Sequence, residues 1–506
     1  MRAPTSPVEA LPPAGPSVRR QDWLTLGLML ALVVGIGAVH VARLDASHPW
    51  GDDFAMYILH ARNLAEGLPY AQTGYIPDPQ HFIGPPCYPP IYPLLLAPVY
   101  ARFGLDFVAL KGVTVACFLG FLLVMGLAFR RALTRPMLLG LLLLVGLNYF
   151  FLRDTNTINS DETLLTFLYL SLFLLHAARE TVLGRWRIAA AIGVGVSAYL
   201  AFAARTVGFL LIPAILLEDL LNVRRIRSTT LLTTAVFAIL AAAQELWLRG
   251  SQGYLGEFAG AGPALARHAV WYAERMAAFW SNGYCKPATG TLAAVVTLLA
   301  VLGYVERWRS RVTVCEIFLP LYLATILLWP GYGAERYLYP ILPLWTFYAL
   351  VGLQHPLLGS RRRLRGLVIA ALLTAVSASY VARWTRLDDL RGAEGVGQPN
   401  SVAMFQFIAH HTRPSDVVVF IKPRAMALLA GRRASAYHQP AEDRQLCDYF
   451  HAIDARYVVT VERDAALGPA APAELLQFLR GFVARHRSRF DEVYRNADFA
   501  VYKKNG

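Results

Sequence analysis

Along the first three quarters of the chain, long apolar runs alternate with short polar connections, and this pattern predicts a bundle of membrane-spanning helices. The runs fall near Leu24–Val41, Phe107–Phe129, Met137–Leu152, Leu164–Ala177, Ile188–Ala204, Val207–Leu221, Leu231–Leu248, Leu292–Tyr304, Ile317–Trp329, Leu338–Leu353 and Leu367–Val381, about eleven in all. Several are shorter than the roughly 20 residues that a hydrocarbon core takes, so these tilt little or extend beyond the limits given. Within 400–506 the pattern changes. VAMFQFIAHH and AELLQFLRGFVARH read as helices, and DVVVFI, RYVVTV and ADFAVYK as strands. That segment predicts a small soluble α/β domain without a glycine-rich nucleotide loop.

Charge orients the bundle. Alternate connections carry Arg130, Arg131 and Arg135; Arg179, Arg185 and Arg187; Arg224, Arg225 and Arg227; Arg307, Arg309 and Arg311; and Arg361, Arg362, Arg363 and Arg365. The positive-inside bias puts all five in the cytoplasm, with Arg19 and Arg20 at the end of a Pro-, Ala- and Ser-rich tail over 1–20 that reads as disordered. The remaining connections are then outside: about 42–106, 153–163, 205–206, 249–290, 330–337 and everything after about 382. The two long ones, 42–106 and 249–290, contain amphipathic and aromatic stretches (Trp271, Tyr272, Trp280 and Tyr284 in the second) that predict short helices on the outer surface.

Composition agrees: the 506 residues are 56% hydrophobic and only 16% charged, against about 25% charged in soluble domains. The net charge of +14 sits mostly in clusters between apolar runs, which argues for membrane orientation and against nucleic acid. Five cysteines show no C-x-x-C spacing, which argues against structural zinc. Cys87 and Cys285 fall in outside segments where a disulfide persists if it forms, and their pairing is open.

Charges at the ends of apolar spans are costly, so those that remain are candidates for function. The predicted outer side gathers Asp52 and Asp53 after the first span, Asp161 and Glu162 before the fourth, Arg205 between the fifth and sixth, and Glu335 and Arg336 before the tenth. Each has a structural alternative. The acids cap or complement helix N-termini, and the arginines snorkel to headgroups.

The order of these motifs is similar to that of the GT-C glycosyltransferases, of the protein O-mannosyltransferase and aminoarabinose-transferase type. The matching stretches are GDDFAMYILHARNLAEGLPY, PPCYPPIYPLLLAPVYARFG, NSDETLLTFLYLSLFLL, FAARTVGFLLIPAILL and ERYLYPILPLW, in order over roughly 20–385. The resemblance implies a polyprenyl-phosphate sugar donor and inversion at the anomeric carbon. It implies Asp53 or Asp52 as the base that takes the acceptor's proton, with Arg336 and Arg205 on the donor phosphate. Asp161 and Glu162 would position the acceptor or a metal; some GT-C members bind a divalent ion, and oxygen ligands would suit Mg²⁺ or Mn²⁺. The acceptor (lipid, polysaccharide or protein) stays open. The implied location is the outer face of a bacterial inner membrane, with the C-terminal domain on that side. The rival reading is a secondary transporter using the same acids. Against it, the acids lie at span ends rather than at the midplane, and no internal repeat is evident.

Overall fold

The computed structural model describes residues 16–81, 83–180, 184–248, 265–280, 286–329, 335–355, 362–384 and 395–505. A helix stands at each predicted span. The first is α1 (Pro16–Val41), which begins inside the segment read as a tail; a proline is tolerated in a first helical turn because it has no N–H to lose there. Two helices of the first long connection follow, α2 (Asp53–Glu66) and α3 (Ile91–Phe103). The bundle continues with α4 (Phe107–Phe129), α5 (Arg135–Gly146), α6 (Tyr149–Asp154), α7 (Asp161–Glu180), α8 (Gly184–Ala204), α9 (Leu211–Val223) and α10 (Ser228–Leu248). In the second long connection lies α11 (Leu265–Ala278), bearing Trp271 and Tyr272; Tyr284 and Cys285 lie outside the described residues. The bundle closes with α12 (Lys286–Ser310), α13 (Val314–Leu328), α14 (Leu342–Gly352) and α15 (Arg362–Trp384).

Among the described residues, seven helical segments are long and apolar enough to cross a membrane: Asp22–Val41, Phe107–Phe129, Asp161–Arg179, Gly184–Ala204, Thr206–Val223, Ser228–Leu248 and Thr289–Ser310. Three predicted spans are interrupted, one of them Val207–Leu221, which opens as a 3₁₀ turn over Thr206–Leu210 before α9. Met137–Leu152 breaks between α5 and α6, where Asn148 caps α6 by accepting the Phe150 N–H at 3.0 Å. The Asn148 amide also donates to the Phe279 carbonyl at 3.2 Å and the Tyr380 hydroxyl at 2.8 Å, so the break knits three segments. Leu338–Leu353 starts as a 3₁₀ turn over Glu335–Leu338, and α14 begins only at Leu342, with Pro343 in its first turn. Helices α12 and α14 touch backbone to backbone: a Cβ on Gly303 would overlap the Tyr348 carbonyl.

The C-terminal segment adds α16 (Pro399–His411), α17 (Pro423–Leu429), α18 (Asp443–Ala452) and α19 (Ala473–Arg485) around a six-stranded sheet. Its strands are β1 (Tyr75–Ile76), β2 (Val417–Val419), β3 (Arg433–Ser435), β4 (Ala455–Val461), β5 (Phe490–Arg495) and β6 (Phe499–Lys504), in the order β1-β3-β2-β4-β6-β5. The first four in that order run parallel, and β6 and β5 add antiparallel. One edge strand, β1, comes from the first long connection, pairing Tyr75 with Ala434 and Ile76 with Ser435. Phe54, Ile58 and Tyr92 of that connection share one apolar core with Val418, Phe420 and Leu476 of the C-terminal segment. The α/β unit is therefore fastened to the first long connection by both sheet and core.

Candidate active site

The acidic doublet sits where α1 has ended and α2 begins, and several contacts hold this turn. Fully buried Lys111, on α4, donates to Asp45 Oδ1 at 3.0 Å, the Ser47 carbonyl at 2.5 Å and Asn156 Oδ1 at 3.0 Å. One ammonium thus ties the connection after α1 to that before α7. His48 stacks on Phe54 with ring centroids 4.1 Å apart and accepts the Ile158 N–H at 3.0 Å. Tyr57 and Ser160 join hydroxyls at 2.8 Å. The two polar segments that flank the site are thereby fixed to each other.

The doublet splits in role. Asp53 opens toward the bundle, its side chain 29% exposed, with Arg336 Nη2 donating to Oδ2 at 2.6 Å. Tyr88 donates its hydroxyl to Oδ1 at 2.5 Å, and Arg424 Nη1 lies 3.5 Å from the same oxygen. Burial alone would raise this carboxyl's pKa, but Arg336, Arg424 and the Tyr88 hydroxyl outweigh it and hold it well below the usual carboxylate range. Asp52 turns the other way. Instead of capping α2, it accepts the Ala425 N–H at 3.2 Å in the first turn of α17, with Arg424 Nε 3.7 Å from its other oxygen. Burial pushes it up to about 6 despite Arg424 and Lys422.

On the bundle side, Arg205 Nη1 donates to Asp161 Oδ1 at 2.7 Å, while Asp161 Oδ2 has no hydrogen-bond partner. Arg336 feels both Asp53 and Asp161, and Nε of this arginine is also unpartnered. The guanidinium groups of Arg205 and Arg336 lie 5.6 and 5.9 Å from the Tyr337 ring centroid. The sequence-predicted residues Asp53, Arg336, Asp161 and Arg205 therefore form one row of alternating charge. Glu162 is fully buried, and neither of its carboxylate oxygens has a hydrogen-bond partner. Glu335 faces away from Arg336's cluster, 3.1 Å from Arg275 and 3.9 Å from Arg153, whose guanidinium pairs with Asp154.

Two residues at Asp53 were not singled out from the sequence. Tyr88 lies within the Pro- and Tyr-rich stretch and is held by His60, which accepts the Tyr88 N–H at 3.2 Å through Nε2 and donates to the Tyr70 carbonyl at 2.8 Å through Nδ1. Burial brings His60 down to about 4, which keeps it neutral and able to do both. Arg424 comes from the C-terminal domain, entirely buried, its guanidinium 4.8 and 5.0 Å from the Tyr75 and Tyr88 rings. Gly84, at φ 127°, lets the chain pass: a Cβ there would stand 2.8 Å from Arg424 Nη2.

Arg336 and Arg205 stand beside Asp53 and Asp161 as their cations, and no three His, Cys, Asp or Glu side chains converge among the described residues. Cys87 is a free thiol.

No protein-family model matches the sequence, and no curated protein does. Solved structures do match the fold. ArnT from Cupriavidus metallidurans, bound to undecaprenyl phosphate, superposes with a TM-score of 0.58 at 13% identity, covering 94% of this chain and 98% of ArnT. The archaeal oligosaccharyltransferase AglB from Archaeoglobus fulgidus, in complex with an inhibitory peptide and a dolichol-phosphate, gives 0.56 at 15% identity, covering 86% of this chain and 69% of AglB. Both are GT-C enzymes, and this chain has the GT-C fold: a multi-pass membrane protein of mostly helical build with a small sheet. At such identities the likeness concerns the fold, and the chemistry rests on the side chains described above.

Proposed function

We propose that the chain is a membrane glycosyltransferase that moves a sugar from a polyprenyl-phosphate donor to a lipid, polysaccharide or protein acceptor on the outer face of a bacterial inner membrane. The observation that carries this reading is the partly exposed Asp53 carboxylate beside Arg336, at the head of a bundle with this fold. An acceptor hydroxyl attacks the anomeric carbon as the bond from that carbon to the phosphate oxygen breaks. The hydroxyl proton passes to Asp53, and the phosphate leaves with the bonding electron pair. Phosphate is already a good leaving group, so the reaction asks for a base and for cations rather than a strong acid. Direct displacement inverts the centre and forms no sugar–enzyme bond.

With Arg336 against it, Asp53 is a weak base. A donor phosphate competes for that guanidinium, which has an unpartnered Nε to offer and a planar fork suited to phosphate. Drawing Arg336 toward the donor removes Asp53's nearest cation, and the carboxylate's proton affinity rises when the acceptor needs it. Arg205, held by Asp161, is the second phosphate candidate; Asp161, with Oδ2 unpartnered, is the candidate for orienting the acceptor. The decisive experiment is sugar transfer from a labelled polyprenyl-phosphate donor by the purified protein in detergent. Transfer is expected from the wild type and not from Asp53→Asn; no transfer by the wild type would refute the reading, and equal transfer by both would refute Asp53 as the base.

A further inference from the structure

At the far end of α7 from Asp161, the bundle encloses a cavity of about 230 Å³ that the proposed reaction does not use. His176 lies on α7 at the cavity wall, 15 residues beyond Asp161, which places it roughly 22 Å down the helix axis, near the opposite edge of the hydrocarbon core. The floor is apolar, with Phe129, Leu175 and Phe347. The rim is cationic: Arg131, Arg307 and Arg311 stand around His176, and all three act on it electrostatically.

Acids also line the cavity, but each already has an arginine beside it. Glu218 receives Arg179 Nη2 at 2.8 Å. Glu316 accepts the Thr313 N–H at 2.7 Å, the Thr313 hydroxyl at 2.6 Å and the Tyr348 hydroxyl at 3.0 Å, with Arg307 Nε at 3.5 Å. Arg311 is exposed and has no acidic partner among the described residues. The cavity thus offers positive charge at its mouth and an apolar surface beneath it.

The geometry points to a binding site for the phosphate of an anionic glycerophospholipid, seated on the membrane face opposite the carboxylates. The phosphate lies among Arg131, Arg307 and Arg311, and the first acyl carbons cover Phe129 and Phe347. Guanidinium groups match phosphate oxygens in pairs, and basic pockets between helices at a membrane surface take anionic headgroups. A free phosphate would use the rim alone and leave the apolar floor wet, so the floor favours the lipid. This site is independent of the proposed reaction.

The test uses the full-length protein in neutral detergent, stripped of lipid and titrated with phosphatidylglycerol, phosphatidylcholine or inorganic phosphate. Bound lipid is counted by native mass spectrometry, and Tm is followed in parallel. Phosphatidylglycerol is expected to bind at least about tenfold more tightly than phosphatidylcholine: both carry the phosphate, but the choline ammonium meets the arginine rim as a like charge. Arg131→Gln/Arg311→Gln should abolish the preference, while Arg225→Gln, which does not line the cavity, should keep it. Should the double variant not fold, Arg311→Gln alone, at an exposed side chain, is expected to weaken the preference severalfold. Equal binding of the two lipids, or an unchanged preference in the variants, would overturn the assignment. A rise in Tm with inorganic phosphate alone, equal to that with phosphatidylglycerol, would overturn the lipid as occupant in favour of a soluble anion.

Discussion

Separate replacement of Asp53 and Asp52 by Asn tests which carboxylate takes the acceptor's proton, because their environments drive them apart. Arg336 and Arg424 hold Asp53 well below the ordinary range, whereas burial pushes Asp52 up to about 6. If Asp53 is the base, Asp53→Asn lowers turnover by at least about 10²-fold, equivalent to about 2.7 kcal/mol of barrier. Asp52→Asn keeps an oxygen that can accept the Ala425 N–H, so it should cost less than about tenfold. Turnover and kcat/KM of both variants, measured with a lipid-linked donor from pH 5 to 8, give the answer. Were Asp52 the base, wild-type kcat/KM would fall about tenfold per pH unit below about 6, and Asp52→Asn would be the inactive variant. An active Asp53→Asn beside a dead Asp52→Asn would refute the assignment; full activity in both would move the base to Asp161.

The same Asp52 carries a stability prediction. Its folded pKa of about 6 lies above the ordinary 3.8, so the folded state binds this proton more tightly than the unfolded state does. Its contribution favours folding below about pH 4 and is lost as pH rises through 6, a swing of about 3 kcal/mol. Thermal unfolding should therefore show the wild type losing Tm relative to Asp52→Asn between pH 4 and 7. Parallel curves for the two proteins would show that Asp52 does not titrate in this window.

Arg336→Lys should lose much of the activity and Arg336→Ala nearly all, chiefly through weaker donor binding, because an ammonium cannot reproduce the paired hydrogen bonds. Wild-type donor affinity and turnover in Arg336→Lys would leave Arg336 as a snorkelling anchor and shift the phosphate role to Arg205. Removing Arg424 leaves Asp52, Asp53 and the Tyr88 hydroxyl without their buried cation. Arg424→Ala should cost about 3–5 kcal/mol, read as a fall in Tm, together with most of the activity; an unchanged Tm would contradict the burial described. Impermeant thiol labelling of single-cysteine variants should reach the 153–163 and 330–337 connections from outside intact cells and should not reach position 362. Labelling at 362 would reverse the proposed orientation.

What could be read from the sequence was what a membrane makes costly. Apolar runs and the arginines between them follow from desolvation, and α4, α8 and α10 start or end within a few residues of the predicted limits. Asp53, Asp161, Arg205 and Arg336 stood out because a charge at a span end needs a reason to be there. The break at Asn148 was hidden, since a single amide among leucines and aromatics leaves the run apolar, and its partners Phe279 and Tyr380 are far away in the chain. Strands β3 and β5 were missed for local reasons. One has three residues, and the other is largely exposed along FDEVYR, so neither carries an apolar signal.

Arg424 was illegible for a different reason, and this bears on what the C-terminal domain does. In a segment that reads as soluble an arginine is ordinary, and nothing local in KPRAMALL marks one that reaches an acid 371 positions earlier. Only the fold supplies that proximity: β1 pairs with β3, α17 begins beside Asp52, and Gly84 clears a path for the guanidinium. The domain therefore sets the charge around the proposed base as well as covering the first long connection. Asp53 is held between one cation from the bundle, Arg336, and one from the domain, Arg424. Arg336 is partly exposed, whereas Arg424 is fully buried. In the proposed reaction, a donor that draws the first away would leave the second to keep Asp53 ionised and in place until the acceptor's proton arrives.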